Sequence, residues 1–193
     1  MNFDKFLPLF SKIDKLRQEG IEPCQAVLIA IDGNCTAGKS TLAARLKTLY
    51  DCNVFSIDDF FLKQSEKTEE RLNQPGGNVD HERFLSEVIK PLVKGLPFQY
   101  RPFDCKTQKL SEPIFANPAP INVIEGVYCL HPELADVYDI KVFLSIEEKE
   151  QSRRLMARST ALYDKYINEW IPLENKYFEA FDIRAGCDFV FDC

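Results

Sequence analysis

The sequence has no CxxC pair, and its seven cysteines (24, 35, 52, 105, 129, 187 and 193) are odd in number. Neither a disulfide framework nor a zinc site follows from that pattern, and reduced thiols in a cytoplasmic protein are expected. Positive charge is not in excess: 24 Lys and Arg stand against 30 Asp and Glu, a formal net charge of -6. A polynucleotide partner draws most of its affinity from phosphate neutralisation, so that balance argues against one. A small anionic ligand in a local positive pocket remains compatible. No apolar run approaches the roughly 20 residues that span a bilayer, so no membrane partner is expected. The opening Met1-Asn2-Phe3-Asp4-Lys5 lacks the basic-then-apolar pattern of a secretory signal. Repeats, low-complexity tracts and linkers are absent too. The 193 residues, 45% apolar and 28% charged, fit one globular domain with a substantial core.

What the chain does contain is the stretch Gly33-Asn34-Cys35-Thr36-Ala37-Gly38-Lys39-Ser40, which fits the phosphate-loop pattern GxxxxGKS without a gap. The apolar run Ala26-Val27-Leu28-Ile29-Ala30-Ile31 before it reads as a buried strand. Thr41-Leu42-Ala43-Ala44-Arg45-Leu46 after it is a run of good helix formers. In such a unit the strand fixes the loop, the glycines let successive N–H groups converge on phosphate oxygens, and the helix N-terminus adds unsatisfied donors and a positive dipole end. Lys39 is then placed to reach the β- and γ-phosphates and Ser40 to hold Mg²⁺. A chance match in a chain of this length is on the order of one in a hundred at average glycine usage, and the flanks lower that further.

Around this unit the chain alternates short apolar runs with helical periodicity. Phe3, Phe6, Leu7, Phe10, Ile13, Leu16 and Arg17 predict an amphipathic packing helix, closed by Gly20 and Pro23. Residues 53–57 form a second strand ending on Asp58-Asp59-Phe60-Phe61, and the polar stretch 62–79 predicts a loop. From His81 to about Lys94, Phe84, Leu85, Val88, Ile89 and Leu92 share one helical face, with Asp80 as N-cap and Pro91 expected to bend or end the helix early. Residues 96–118 carry four prolines and read as irregular hairpin or loop. Runs at 121–124, ending on Glu125-Gly126, and at 140–145 predict two more strands. Helices follow from Glu147 to about Arg158 and over roughly 162–181, interrupted by Pro172, and 188–191 predicts a last strand. This order implies right-handed crossovers and an α/β fold whose parallel sheet is covered on both faces.

Ligands of an open parallel sheet gather at the carboxyl ends of its strands. Asp58 and Glu125 stand at two such ends, where two carboxylates beside a phosphate loop can divide metal binding and proton acceptance. Arg154 and Arg158 lie at i and i+4 on one helical face with Arg153 flanking, so guanidinium groups there can match a transferring phosphoryl group, or pair with Glu147, Glu148 and Glu150. Cys35 has two readings: a thiolate activated by the loop lysine and the helix N-terminus, or a small apolar filler. The guanine-reading NKxD pattern is missing, Asn175-Lys176-Tyr177-Phe178 being a failed match, so a GTPase-like switch is disfavoured.

The ordered motifs GNCTAGKST, SIDDFF, NVDHERF, RPFDC, VIEGVY and SRRLMAR resemble the uridine kinase-like group of P-loop kinases, which includes nicotinamide riboside kinases, phosphoribulokinases and pantothenate kinases. The resemblance covers residues 26–192. It implies a P-loop NTPase-type five-stranded parallel sheet in the order 2-3-1-4-5, three layers α/β/α, ATP as donor and Mg²⁺ as metal. It parses the chain 1–193 as one kinase domain with an N-terminal helical extension over 1–22, an acceptor-binding insertion over 60–118 and an arginine-bearing lid helix over 147–160. It implies phosphate binding by Gly33, Asn34, Cys35, Thr36, Ala37, Gly38, Lys39, Ser40 and Thr41. Asp58 resembles the general base, Glu125 the acid that with Ser40 orients the metal shell, and Asp80 the carboxylate that holds sugar hydroxyls. Arg153, Arg154 and Arg158 resemble lid arginines. Four positions depart from the pattern: Asp59 for a small residue, Glu82 for a proline, and Phe103 with Gln108 where uridine kinases read the base through Tyr and His. The expected activity is ATP-dependent phosphorylation of a primary hydroxyl on a small sugar-like metabolite, nominally a pyrimidine nucleoside. Nicotinamide riboside, glycerate or another polyol is the alternative acceptor, and a catalytically silent nucleotide-binding module the alternative class. Homo-oligomerisation is left open.

Overall fold

The computed structural model describes residues 3–18 and 26–193. Its centre is a parallel sheet of five strands: β1 (Val27–Gly33), β2 (Cys52–Ser56), β3 (Ile121–Glu125), β4 (Ile140–Ser145) and β5 (Phe189–Asp192). Their spatial order is 2-3-1-4-5, every pairing parallel, as the family resemblance implied. The register sets Ser56, Ile31 and Glu125 level with one another, and Gly33 beside Leu144. The carboxyl ends of the inner strands therefore share one edge, where β1 runs into the phosphate loop.

Strand alternation explains the layers. Leu28 and Ala30 point into one apolar cluster with Phe55, Ile57, Phe84, Val88 and Tyr177, while Val27, Ile29 and Ile31 point into the other with Leu42, Leu46, Val123, Val142 and Leu144. At about 1.5–3 kcal/mol per fully buried aliphatic side chain, a strand buried on both faces anchors the whole sheet. Helix α1 (Leu7–Gln18) lays Leu9 and Ile13 into the second cluster beside Phe6, while Leu7 faces solvent. The closure expected at Gly20 and Pro23 lies outside the described residues. Helix α2 (Lys39–Leu49) packs on the same side through Leu42, Ala43 and Leu46.

On the other face, helix α3 runs over residues 81–93. Pro91 does not end it. A five-residue π-turn, Leu85–Ile89, precedes the proline, with the Lys90 N–H bonded to Leu85 O, and the chain restarts as α-helix over Lys90–Val93. Proline then falls within the first turn of the new segment, where its missing donor costs little. The same device recurs at Pro172: a π-turn over Tyr166–Trp170, its last bond from the Ile171 N–H to Tyr166 O, precedes helix α5 (Ile171–Ala180). Between the two lies helix α4 (Glu148–Arg158), which buries only Gln151 and Leu155.

The stretch 62–79 is more ordered than its composition predicts. Thr68 caps a short helix, Glu69–Leu72, and Arg71 from that helix binds Gly77 O, Val79 O and both Glu82 oxygens. Residues 96–118 form two small antiparallel pairs, Phe98–Tyr100 with Ile114–Ala116 and Phe103–Asp104 with Lys109–Leu110. Among the described residues no helix is long and apolar enough to cross a membrane, and the six cysteines there are all free.

Candidate active site

The phosphate loop leaves β1 at Gly33, whose φ of 127° is open to glycine alone; a Cβ there would collide with the Leu144 carbonyl. Asn34 N–H donates to Leu144 O at 3.0 Å, so the loop is tied to β4 at its root. Thr36 adopts φ 61°, a left-handed conformation that strains a β-branched residue, and its buried hydroxyl has no hydrogen-bond partner. Lys39 is folded across the loop mouth, its Nζ donating to Gly33 O at 2.7 Å and Asn34 O at 2.9 Å.

A cavity of about 650 Å³ opens above the loop. Its floor is Cys35, Thr36, Gly38, Lys39, Ser40 and Thr41. Asp58 and Glu125 line one side, Phe61, Asn78, Cys105, Val127 and Tyr128 continue that wall, and Arg154, Arg158, Tyr166, Trp170 and Glu174 close the other. The Ser40 hydroxyl donates to Glu125 Oε2 at 3.1 Å. Burial is the main cause raising the Glu125 carboxyl, with Asp58 adding and Ser40 and Lys39 opposing. Asp58 stands on a 3-10 turn capped by Ser56, whose Oγ accepts the Asp58 N–H. Its carboxylate makes no hydrogen bond or ion pair among the described residues. Asp58 is exposed to the cavity, and the protein packed around it still makes desolvation the main cause raising its pKa, with Lys39 and Arg158 opposing. Gly126 (φ 129°) makes room for this carboxylate: a Cβ would meet Ile57 Cγ2 at 2.6 Å and Asp58 Oδ1 at 3.3 Å.

The arginines divide. Arg154 and Arg158 line the cavity, and Arg154 donates to Thr36 O at 3.1 Å. Arg153 lies outside it, 69% exposed and clamped by Glu150 at 2.6 and 2.7 Å, because one residue along a helix is a turn of about 100°. Three expected acceptor contacts also lie outside the cavity lining. Asp80 caps α3, accepting from the Arg83 N–H at 2.9 Å and pairing with Arg83 Nε at 3.2 Å. Phe103 is buried, and Gln108 sits exposed at a hairpin turn, donating to Cys105 O. Cys35 lines the cavity but is no reactive thiolate. Burial, with the charge of Glu174 next, pushes its pKa up to about 12 against the pull of Lys39.

Two buried acids escaped the sequence reading. Asp32, fully buried, accepts from Gly33 N, Leu130 N and the Tyr177 hydroxyl, pinning the loop root, the segment after β3 and α5 together. Glu174, 6% exposed, accepts from the Cys35 N–H at 3.1 Å. The available signals were an acid inside an apolar strand, and an acid three residues from Tyr177 on the buried face of α5.

Fold and site together define a nucleotide-binding P-loop protein of the phosphotransferase type. No model of a known protein family matches the chain. It is 26% identical over 171 residues to uridine kinase of Streptococcus uberis, covering 80% of each chain, and 27% identical over 173 residues to uridine kinase of Chlamydia pneumoniae, covering 79% of this chain and 76% of that one. A solved structure described as a possible uridine kinase from Bacillus stearothermophilus superposes with a TM-score of 0.67 at 22% identity, covering 96% of this chain and all of that one, a likeness of fold. These similarities support a uridine kinase-like P-loop kinase and, with it, a phosphotransferase acting on a hydroxyl group.

Proposed function

We propose that the protein is an ATP-dependent kinase that phosphorylates the primary hydroxyl of a small, sugar-like metabolite. The observation that carries this reading is the meeting, in one cavity, of Lys39, the Ser40–Glu125 pair and an Asp58 carboxylate with no partner of its own. Phosphoryl transfer asks a protein for positioning and for charge placed where charge develops. In this account residues 33–41 cradle the β- and γ-phosphates of ATP, and Lys39 exchanges two loop carbonyls for phosphate oxygens. Arg154 and Arg158, on the lid helix of segment 147–160, face the same phosphates. Asp58 takes the acceptor's proton, and a carboxylate raised by desolvation is the stronger base for it. The insertion 60–118 supplies Phe61, Asn78 and Cys105 to the acceptor wall.

The hydroxyl and carboxylate of Ser40 and Glu125 are an all-oxygen pair that suits Mg²⁺. Among the described residues no group of three or more His, Cys, Asp or Glu could hold a metal by itself. That fits an ion which completes its shell with phosphate and water. When bound, Mg²⁺ supplies neutralisation of charge on the phosphates.

A pyrimidine nucleoside is the nominal acceptor. Nicotinamide riboside, glycerate or another polyol is the second reading, favoured by a cavity lining that includes Cys105 but neither Phe103 nor Gln108. The free thiols among the described residues support a cytoplasmic location in this reading. The test is ADP release from Mg-ATP with each acceptor in turn. Release that depends on an acceptor supports the kinase; nucleotide binding without release under any acceptor indicates a silent module.

A further inference from the structure

Helix α4 buries two side chains, and one of them is polar. Gln151 is 4% exposed, lies one turn before Leu155 and is not part of the cavity lining. A buried amide is destabilising unless it is hydrogen-bonded, so its partners matter. Its Nε2 donates to Cys35 O at 3.1 Å and meets Cys35 Sγ at 3.3 Å. Both partners belong to the phosphate loop. The Cys35 N–H in turn donates to Glu174 Oε2 at 3.1 Å. Both backbone polar groups of Cys35 are therefore held by buried side chains, one from α4 and one from α5.

The consequence falls on the next residue. A peptide unit is planar and trans, so its N–H points opposite to its C=O. With the Cys35 carbonyl fixed on Gln151, the Thr36 N–H on the same unit is turned away from that side chain. The neighbouring N–H groups already have acceptors: Asn34 on Leu144 O, Cys35 on Glu174 and Ala37 on Asn34 O. The Thr36 N–H has none among the described residues, and Thr36 lines the cavity floor. A β-branched residue at φ 61° does not keep that conformation unaided, so the orientation has to be imposed from outside.

We propose that Gln151 is a positioning residue for phosphoryl transfer: by holding the Cys35 carbonyl, it aims the Thr36 N–H at the nucleotide's phosphates. The inference rests on the kinase reading above and adds to it a residue that acts on the nucleotide only through the loop. It also gives the lid helix a second task. Arg154, three residues on, binds Thr36 O, so the helix that carries the arginines grips two successive loop carbonyls. Arg154 can exchange its carbonyl for a phosphate oxygen while Gln151 keeps the loop in place.

The test follows the Thr36 amide by NMR in protein labelled with 15N-threonine, with and without Mg-ATP, together with ATP binding by calorimetry. In the wild-type protein the Thr36 N–H resonance should move downfield on ATP binding, as an amide gains a charged acceptor. Gln151→Met keeps the length of the side chain and removes its donor. There the shift should fall by about half or more and the Kd of ATP should rise about tenfold, the weight of one charge-assisted hydrogen bond. The amides of Thr48, Thr68 and Thr107 should keep their wild-type positions, which a loosened fold would not allow. Gln151→Leu, equally without a donor, gives the same reading if the methionine variant does not fold. A Thr36 amide that Mg-ATP leaves in place in the wild-type protein, a shift as large in the variant, or an unchanged affinity each overturns the inference alone. Failure of ATP to bind the wild-type protein would overturn the kinase reading and the inference with it.

Discussion

The phosphate loop and the rest of the cavity lining are built on opposite plans. The loop is one continuous stretch, 33–41, sprung from a strand buried on both faces and tied at its root by Asp32 and Leu144. The rest of the lining is gathered from Phe61, Asn78, Cys105, Tyr128, Trp170 and Glu174, which come from five separate segments, one of them carrying a proline-marked π-turn. Helix α4 rests over the loop on Leu155 and a few polar bonds, Gln151 to Cys35 O and Arg154 to Thr36 O among them. The rigid end thus fits a task that many phosphate-binding proteins share, and the lightly held end fits one that differs between them.

If that division is right, the largest loss comes from the loop. Lys39→Ala should lower kcat by about 10³ or more, the cost of removing a charge aimed at the transition state. It should also cost roughly 1–3 kcal/mol of stability, because two loop carbonyls lose their donor. Turnover and thermal melts measure both, and near-normal turnover would remove the loop from the chemistry. Next come the lid arginines. Arg154→Ala should lower kcat by about 10²–10³, whereas Arg153→Ala, a mostly exposed partner of Glu150, should stay within about twofold. Equal effects would mean that the helix turns on closing to bring both side chains in.

Asp80→Ala should act on folding more than on the acceptor. Loss of an N-cap and of its pairing to Arg83 should cost about 1–3 kcal/mol, with the KM of both substrates kept within about twofold. An acceptor KM raised tenfold at unchanged melting temperature would return Asp80 to the site. The smallest effect concerns pH. Glu174 has a folded pKa of about 7, above the unfolded value of a glutamate, so its contribution to stability is full below about 4.3 and is lost as pH rises through 7. Glu174→Gln imitates the protonated form. Its melting temperature relative to the wild-type protein should therefore climb between pH 5 and pH 8, by about 2–4 °C per kcal/mol in a chain of this size. A flat difference would mean that Glu174 is already ionised in the folded protein.

The same contrast governs what could be read in advance. The loop and the acids at strand ends were legible because each rests on neighbours in sequence, Gly33 to Ser40, Asp58 after β2 and Glu125 at the end of β3, whereas the strand order came only with the family resemblance. Arg153 and Arg154 could not be told apart before the helix had a fixed rotation against the loop. Asp80 reads equally as cap or ligand until Arg83 is seen to hold it. Asp32 and Glu174 acquire meaning only through partners distant in sequence, Leu130 and Tyr177 for one and Cys35 for the other. Pro91 and Pro172 predicted breaks, and only the geometry revealed the extra residue in the turn that lets each helix continue.

The most direct test of the account is phosphorus NMR of the wild-type protein and Asp58→Asn with Mg-ATP and an acceptor panel of nucleosides and polyols. The account predicts ADP and a phosphate monoester of one acceptor formed in equal amounts by the wild-type protein, with the rate lowered about 10²–10⁴-fold in Asp58→Asn. ADP formed without any phosphorylated acceptor, or a monoester formed equally fast by Asp58→Asn, would contradict it.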